Sequence, residues 1–312
     1  MSSAGAMSNP AASFEPYRRR LLGLAYRMSG SIADAEDAVQ ETYLRWHAAD
    51  RDKVSDPRAF LMTTTARICL DMLTSARARR EEYVGPWLPE PVVDTAALAP
   101  DTRTELAEDL SVALLLTLDR LSPLERAAFL LHDVFDFSFS EVATTLERSE
   151  AACRQLAARA RAHVRAVRPR GAIARPARSG EIDAKHAQLM SAFVAATRSG
   201  DLNALTHLLA SDVRVVTDGG GKVAAALNVL GSADRAARFL VGATRKRWRE
   251  DFTLRFATIN GLPGVILDGP EGPVQTTTFE IEGDVIRALY VVRNPDKLRH
   301  LAAAEPRESG LE

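Results

Sequence analysis

Three helix starts follow one another closely in the middle of this chain, and their spacing limits the folds that the segment can adopt. Ser122 and Ser138 are each followed three residues later by a glutamate, the capping-box pattern, and Ser149 can cap a third helix. We predict helices over Leu124–Phe135, Ser140–Leu146 and Ser149–Val167. A short helix, a tight turn and a longer basic helix are typical of a helix-turn-helix, which places its last helix in the major groove of DNA.

The last of these helices has a basic face. Residues 148–178 contain nine arginines and one acid, in a chain whose formal net charge is only −1. At 100° per residue, Ala152, Leu156, Ala160 and Val164 fall on the core side. Arginine can read guanine edges and glutamine can read adenine edges, and other arginines suit phosphates. The outer face carries Glu150, Arg154, Ala158, Arg161 and Arg165, with Gln155 beside them, and the arginines that suit phosphates are Arg159 and Arg168. The alternative is a solvated arginine face on an ordinary bundle helix.

The N-terminal segment, about residues 14–83, is also predicted to be helical. A helix after Ser31 has apolar stripes that include Leu44 and an opposite polar face of Glu36, Asp37, Gln40 and Glu41. Such paired carboxylates on an open helical surface have nothing to raise a pKa, so we do not predict acid–base catalysis there. The face is either solvated or a protein-docking surface.

A further helix, Pro57–Arg80, combines an aromatic ring, hydroxyls and cations. This mixture can hold single-stranded or melting DNA, whereas cations at a helix end alone can be explained by capping. The side chains in question are Phe60, Thr63, Thr64, Arg67, Asp71, Arg77, Arg79 and Arg80.

The last segment combines helical and strand patterns, which predicts an α+β domain. Helical patterns are followed by strands with turn signals between them, so we expect helices on one face of an antiparallel meander. The predicted helices are Ala184–Ser199, Asp201–Leu209 and Ala233–Arg249, and the predicted strands are Val213–Thr217, Phe252–Thr258, Val265–Leu267, Val274–Ile281 and Val285–Val292. The stretch Asp218–Lys222 lacks the spacing of a phosphate-binding loop and is interpreted as a flexible turn.

Composition narrows the function classes. The chain has 312 residues, enough for two or three domains, and its 2 cysteines and 6 scattered histidines predict neither a disulfide framework nor a metal site. No apolar run approaches the length of a membrane span, so we expect no membrane association and a cytoplasmic protein. We expect no cofactor.

Three stretches together resemble regions 2 and 4 of extracytoplasmic-function RNA polymerase sigma factors. They read AYRMSGSIADAEDAVQETYLRW, PRAFLMTTTARICLDMLTSARARR and LSPLERAAFLLHDVFDFSFSEVATTLERSEAACRQLAARARAHV. GPWLPEP, DGGGK at 218–222 and NPDKL at 294–298 resemble the SigJ-type subgroup, whose members carry a C-terminal SnoaL-like, ketosteroid-isomerase-like cone. The resemblance therefore implies a multidomain fold: a region 2 helical bundle, a region 4 helix-turn-helix and an α+β cone.

The resemblance also implies roles for matching residues. Asp37, Gln40 and Glu41 would dock on the β′ clamp helices of core RNA polymerase. Phe60, Thr64, Arg67, Asp71, Arg77, Arg79 and Arg80 would recognise and open the minus-ten promoter element. Ser149, Glu150, Arg154 and Gln155 would enter the major groove at the minus-thirty-five element, with Arg159 and Arg161 on phosphates. Trp87, Asp218, Gly220, Lys222, Asn294, Pro295, Asp296 and Lys297 would make regulatory contacts within the chain.

The expected domain boundaries follow from these stretches. They are a disordered tail (1–13), region 2 (14–83), a Pro-rich linker (84–105), region 4 (106–168), a second linker (169–181), the SnoaL-like regulatory domain (182–304) and a tail (305–312).

Three other interpretations of the cone and of the whole chain stay open. The cone could sense an unidentified small molecule, or it could be an isomerase- or hydrolase-like enzyme fused to a DNA-binding module. Its acid–base candidates would be His207, Asp218, Asp268, Tyr290 and Arg293, none of which has a motif partner. The whole chain could also be a repressor that makes no polymerase contact. We favour a sigma factor that is not an enzyme, with no catalytic residue.

Overall fold

The computed structural model describes residues 9–81, 83–93, 98, 110–167 and 184–303. These residues form two compact units. The first contains the helices before residue 82 and those from residue 110 to residue 167. The second contains residues 83–93, which we call the linker segment, together with residues 184–303. Residues 1–8 of the expected N-terminal tail, the expected C-terminal tail, the second linker and most of residues 94–109 lie outside the described residues. Residues 10–13, expected to be part of a disordered tail, are instead the start of the first helix.

The first unit is built of seven α-helices in its described part. They are α1 (Pro10–Ser29), α2 (Ile32–Ala48), α3 (Pro57–Glu81), α4 (Val112–Asp119), α5 (Pro123–Phe129), α6 (Phe139–Leu146) and α7 (Glu150–Val167). Helices α1, α2 and α3 pack on one another, and α5 packs on α7. The predicted helical bundle and helix-turn-helix are thus confirmed, although the sequence pattern did not single out α4.

The predicted caps are present. Ser122 and Ser138 each accept from the backbone N–H three residues later, while Glu125 and Glu141 reach back to the N–H of the capping serine. The predicted helix Leu124–Phe135 begins one residue earlier, and its last turn, Leu130–Val134, is a π-helix. The capping boxes therefore locate the helix starts, but nothing in the pattern indicates the wider final turn.

The face of α2 differs from the prediction at one residue. Leu44 was assigned to an apolar stripe, yet 54% of its surface is exposed. Tyr43 is partly buried against Phe14, and Trp46 is fully buried beside Phe60. Leu44 lies on the side of the acidic residues instead, so α2 presents an apolar group among its carboxylates.

Arginines join the N-terminal helices to the helix-turn-helix within the first unit. Arg20 and Arg58 both donate to the carbonyl of Phe135, at 2.8 and 2.9 Å. Arg126, which is buried, donates to the carbonyl of Met28. Burial lowers the pKa of Arg126 to about 10, so the guanidinium keeps its charge at neutral pH.

The second unit has helices followed by strands. Its elements are α8 (Ala184–Ser199), α9 (Leu202–Leu208), β1 (Leu209–Asp218), β2 (Leu230–Gly231), α10 (Ala233–Arg247), β3 (Thr253–Ile259), β4 (Leu262–Gly269), β5 (Gly272–Glu282) and β6 (Val285–Val292), then short 3₁₀ turns at Pro295–Lys297 and Arg299–Ala303. The sheet order is β2-β1-β6-β5-β4-β3. Strands β3 to β6 form the predicted antiparallel meander, and β1 pairs in parallel with β6.

The core of this unit lies between the sheet and its helices. Met190 and Phe193 of α8 and Leu240 of α10 pack with Val215 and Phe279 of the sheet. The predicted α+β class is confirmed. The first predicted strand is longer than expected, because it continues directly from α9, and α10 ends two residues before Arg249. Among the described helices, none has the length and apolar content that crossing a bilayer requires.

Two glycines give a matched test of the backbone geometry of this unit. A Cβ at Gly242, inside α10, or at Gly283, in the β5–β6 turn, would meet nothing within 4 Å, but Gly283 has a φ of +62°. Gly242→Ala should stabilise the chain by about 0.5–1 kcal/mol, because alanine restricts the unfolded chain. Gly283→Ala should destabilise it by about 1 kcal/mol, because a Cβ strains left-handed backbone. Shifts of the thermal unfolding midpoint with the opposite signs would contradict these conformations.

Candidate functional site

The side chain of Asp218, at the end of β1, is completely buried and accepts four hydrogen bonds. Oδ1 accepts from the Tyr83 hydroxyl at 2.5 Å and from Gly220 N at 3.0 Å. Oδ2 accepts from Leu88 N at 2.8 Å and from Lys297 Nζ at 2.7 Å. A carboxylate has about four lone-pair positions, so its acceptor capacity is filled. Two of the four donors belong to the linker segment.

Lys297 completes the charge balance of this cluster. Its side chain is 9% exposed, and Nζ also donates to the carbonyl of Leu88. The ammonium lies 4.4 Å from the ring centre of Trp87 and 5.0 Å from that of Tyr83. Two aromatic faces therefore replace part of the hydration that the cation loses on burial. The linker segment supplies both rings.

Glycines in the loop after β1 explain how its backbone comes so close to Asn294 and Tyr83. Gly220 has a φ of +58°, and a Cβ there would lie 2.3 Å from Asn294 Nδ2. A Cβ at Gly219 would lie 2.2 Å from the carbonyl oxygen of Val223. Asn294 in turn donates to the Tyr83 hydroxyl at 2.9 Å and caps the turn that begins at Pro295. Glycines are thus required where backbone, asparagine and tyrosine meet.

We call Asp218, Asn294 and Lys297, together with their partners Tyr83, Trp87 and Leu88, the latch. Burial, followed by the hydrogen bond to Asp218, raises the pKa of Tyr83 well above its usual value, so Tyr83 remains a hydrogen-bond donor. An exposed ion pair, Lys222 with Asp296, lies beside the latch, and its hydrogen bond lowers the pKa of Asp296.

The rest of the linker segment is bound through hydrogen bonds that its backbone forms with Asn260 and His300. Val92 N donates to Asn260 Oδ1 at 3.2 Å, and Asn260 N donates to the Val92 carbonyl at 2.7 Å. His300 Nε2 donates to the carbonyl of Pro91 at 2.7 Å. Leu88 is fully buried. Residues 83–93 therefore belong to the fold of the second unit.

The structure brings together the residues that the resemblance marked as regulatory contacts. Trp87, Asp218, Gly220, Asn294 and Lys297 touch one another directly or through one partner, and Lys222, Pro295 and Asp296 adjoin them. Their regulatory role stays a prediction. Sequence reasoning missed Tyr83, Leu88, Asn260 and His300. Of these four, Asn260 is followed by Gly261, a pair that indicates a turn between strands but not a contact with a distant segment.

Helix α7 exposes most of its candidate side chains. Ser149 caps it by accepting from Ala152 N at 3.2 Å. Arg154 pairs with Glu150 at 2.6 Å and lies over Phe139, while Gln155 is exposed. Glu147, in the preceding turn, has the left-handed φ of 55°.

The two arginines expected on phosphates are held by acids of the first unit. Arg159 Nε donates to Glu125 at 2.7 Å, and Arg161 Nε donates to Asp133 at 2.7 Å. Arg159 remains 59% exposed and Arg161 31% exposed. Both cations therefore keep part of their surface open.

The minus-ten candidates on α3 are engaged inside the first unit. Arg67 donates to the carbonyls of Thr145 and Thr144, at 3.0 and 2.9 Å, and pairs with Glu147 at 3.1 Å. Phe60 lies against Trp46, and Thr64 donates to the carbonyl of Phe60. Asp71 is exposed. The side chains of Arg77, Arg79 and Arg80 lie outside the described residues.

The acidic face of α2 is open. Asp37 and Gln40 are exposed, and Glu41 pairs with Arg45 at 2.9 Å. Together with Leu44 they form one face, because residues three and four apart are neighbours on a helix.

The acid–base candidates of the enzyme interpretation are not gathered at one place. Asp218 belongs to the latch, Tyr290 donates to Glu280 at 2.8 Å, and Asp268 pairs with Arg255 at 2.5 Å. His207 is exposed on α9, and Arg293 alone of the five lines the cavity under the sheet. Within the described part of the chain, no three metal-ligating side chains converge.

Comparison with known proteins identifies the family. The model for Sigma-70 region 2 matches residues 14–79, and that for Sigma-70, region 4 matches residues 111–164. The chain is 40% identical to the ECF RNA polymerase sigma factor SigJ of Mycobacterium tuberculosis over 91% of both chains. The chain belongs to the ECF RNA polymerase sigma factors. Its function is that of the family: it associates with RNA polymerase and recognises promoters.

Two further relatives agree with this assignment. The probable ECF sigma factor SigI of the same species is 32% identical, over 94% of this chain and 96% of its own. The crystal structure of the M. tuberculosis SigJ matches with a TM-score of 0.67 and 34% identity, covering 92% of this chain and 97% of that one. The match therefore includes the C-terminal unit as well as the sigma regions, as expected for a SigJ-type factor with a SnoaL-like domain.

From the contacts of the latch, we expect one substitution to lower the stability of the second unit strongly. Asp218→Asn should destabilise the second unit by about 3–5 kcal/mol, because it leaves Lys297 buried without its counter-ion. Asp212→Asn is the control, since this carboxylate lies in the same strand but forms an exposed ion pair with Arg287 and should cost at most about 1 kcal/mol. Urea unfolding measures both. Limited proteolysis should cut residues 83–93 faster in Asp218→Asn only; equal rates would contradict the latch.

Proposed function

We propose that α2 docks on the β′ clamp helices of core RNA polymerase through Asp37, Gln40 and Glu41. Support comes from the spacing of these residues, from the exposure of Asp37 and Gln40, and from the exposed Leu44 beside them. An apolar group surrounded by polar side chains matches the core and rim of a protein interface.

Removing the carboxylates tests this docking face. Asp37→Ala with Glu41→Ala should weaken binding to bacterial core polymerase at least tenfold, because both charges leave the face while the buried side of α2 is unchanged. Glu15→Ala with Asp52→Ala removes two exposed acids elsewhere in the first unit and should bind as the wild type does. Co-elution and fluorescence titration give the affinities. Equal affinities for the two double variants would refute the docking face and assign the polymerase contact to another surface of the chain.

We propose that α7 reads the minus-thirty-five element. In this assignment Ser149, Glu150, Arg154 and Gln155 face base edges, and Arg159 and Arg161 face phosphates. The exposure of Arg154 and Gln155 and the capped start of the helix support it. The ion pairs of Arg159 and Arg161 with protein acids would be exchanged for phosphate contacts on binding.

The base-reading role can be separated from net charge. Arg154→Ala should weaken binding of the holoenzyme to duplexes that the wild-type holoenzyme selects from random sequence, by about 5- to 150-fold, the value of one bidentate contact. Arg120→Ala removes an exposed arginine from the end of α4 and should have little effect. Filter-binding titration at fixed salt compares them. An Arg154→Ala variant that selects the same sequence with unchanged affinity would contradict the assignment.

We further propose that α3 recognises the minus-ten element through Phe60, Thr64, Arg67 and Asp71, aided by the arginines 77, 79 and 80. The interactions of Arg67 with Thr144 and Thr145 occupy the guanidinium that DNA would need. Promoter binding would therefore require α3 and α6 to separate. Without DNA, the first unit would therefore be in a closed form, in which carbonyls of α6 occupy the guanidinium of Arg67.

The latch gives the C-terminal unit control over that separation. The linker segment connects region 2 to region 4 in sequence, and eleven extended residues can span about 36–40 Å. Bound in the second unit, these residues have one fixed span and cannot adjust it freely. We propose that the SnoaL-like unit modulates transcription by setting the effective linker length, without catalysis, in the cytoplasm where the polymerase acts.

This control predicts a transcription phenotype. Asp218→Asn should change run-off transcript yield at least threefold relative to the wild type, because the linker segment is released. Asp212→Asn should match the wild type. Equal yields from wild type and Asp218→Asn, at saturating core polymerase, would contradict modulation by the latch while leaving the docking and DNA assignments intact.

A further inference from the structure

A cavity of about 630 Å³ lies in the second unit between the sheet and the helices α8 and α10. Its walls are rich in aromatic side chains, including Phe193, Phe239, Trp248, Phe252 and Phe279. Its volume lies within the range of sites that enclose small organic molecules. The body of a molecule that fills it must be apolar.

The polar groups of the wall are mostly satisfied by the protein itself. Thr217 Oγ1 donates to the carbonyl of Ala226 and accepts from Ala226 N, Thr197 donates to the carbonyl of Phe193, and Gln275 donates to Thr277. Because these groups have partners within the protein, they need no hydrogen bond from a ligand.

Arg293 is the exception. It follows β6 and lines the cavity; one terminal nitrogen donates to the carbonyl of Ala224, but its buried Nε has no hydrogen-bond partner. Half-buried Arg247 of α10 lies close enough to act on it electrostatically, and desolvation together with this like charge lowers the pKa of Arg293 to about 10. Within the described residues, neither arginine has an ion-pair partner. An uncompensated pair of cations in an apolar wall favours an anion.

The rest of the wall does not supply that anion. Its single acid, Glu271, is exposed, and two further arginines, Arg198 and Arg299, also belong to the lining. Arg198 is stacked on Trp248, and Arg299 pairs with Asp296. The charge left over at the cavity is therefore positive.

We propose that this cavity binds an apolar carboxylic acid, whose hydrocarbon or aromatic body contacts the phenylalanines and whose carboxylate pairs with Arg293 and Arg247. The guanidinium N–H groups of the two arginines that have no partner in the described protein would donate to the carboxylate oxygens. This inference is independent of the proposed sigma mechanism, since it concerns the second unit alone.

Two related dyes test the proposal on the purified full chain without polymerase or DNA. 1-Anilinonaphthalene-8-sulfonate carries an anion, and N-phenyl-1-naphthylamine has the same aromatic frame without charge. We expect saturable binding of the anionic dye, weakened about tenfold or more in Arg293→Gln and Arg247→Gln, because each loses a charge-assisted contact. The neutral dye should bind all variants alike. Arg235→Gln, an exposed arginine of α10 outside the cavity, should leave both dyes unchanged.

Competition identifies the ligand class. Decanoate should displace the anionic dye at least tenfold more effectively than decan-1-ol, which has the same chain without the charge. Equal displacement, no saturable binding by the wild type, or unchanged affinity of the anionic dye in both cavity variants would overturn the proposal. If Arg293→Gln loses both dyes, its cavity has collapsed. Arg247→Gln then tests the proposal, because the Arg247 side chain makes no hydrogen bond within the described protein and its replacement leaves the wall of the cavity intact.

Discussion

The second unit depends on one buried ion pair, Asp218 with Lys297. A buried carboxylate is costly unless hydrogen bonds replace its hydration, and here four donors do so. Tyr83 and Leu88 supply two of them, and Trp87 covers the lysine. Without the linker segment, Asp218 at the end of β1 would lose two of its four hydrogen bonds, and Lys297 would lose the two rings that cover it. The linker segment is for this reason a structural part of the C-terminal domain, although it lies between the two sigma regions in sequence.

The latch connects the stability of the C-terminal unit with the length of free chain between regions 2 and 4. That span is limited by the chain that joins the two regions, and eleven of its residues are bound. The modulation that we propose would therefore need only a change in the free energy of the latch. The cavity offers a route to such a change, because its lining shares the β6–3₁₀ segment with the latch: Arg293 and Pro295 line the cavity, while Asn294 and Lys297 hold the linker.

Local patterns predicted the elements that depend on local chemistry. The capping boxes at Ser122 and Ser138 located two helices, and the turn signals located the strands of the meander. The parallel pairing of β1 with β6 was not predicted, because no periodicity specifies which distant strand is the partner. Leu44 was misplaced because an apolar residue in a helix is ordinarily assigned to the core, whereas this leucine lies on the exposed face of α2.

The candidate site was predictable only in part. The resemblance marked Asp218, Asn294 and Lys297, but the residues alone favoured a flexible turn at 218–222. Their partners are separated from them by 130 residues or more in sequence, as for Leu88 and Asp218, and such contacts leave no periodic trace. The hydrogen bonds of Arg67 to α6 could not be predicted either. An arginine on α3 is compatible with a DNA contact in the sequence, whether or not its guanidinium donates to carbonyls of the protein.

The central claim is that the linker segment is bound in the latch of the free protein. Amide hydrogen exchange at Leu88 in the intact, unbound chain tests it most directly, because this N–H donates to Asp218. The account predicts that Leu88 exchanges about as slowly as Leu289, a buried residue of the central strand β6. Exchange of Leu88 at the rate of an unstructured peptide, with Leu289 still protected, would contradict it.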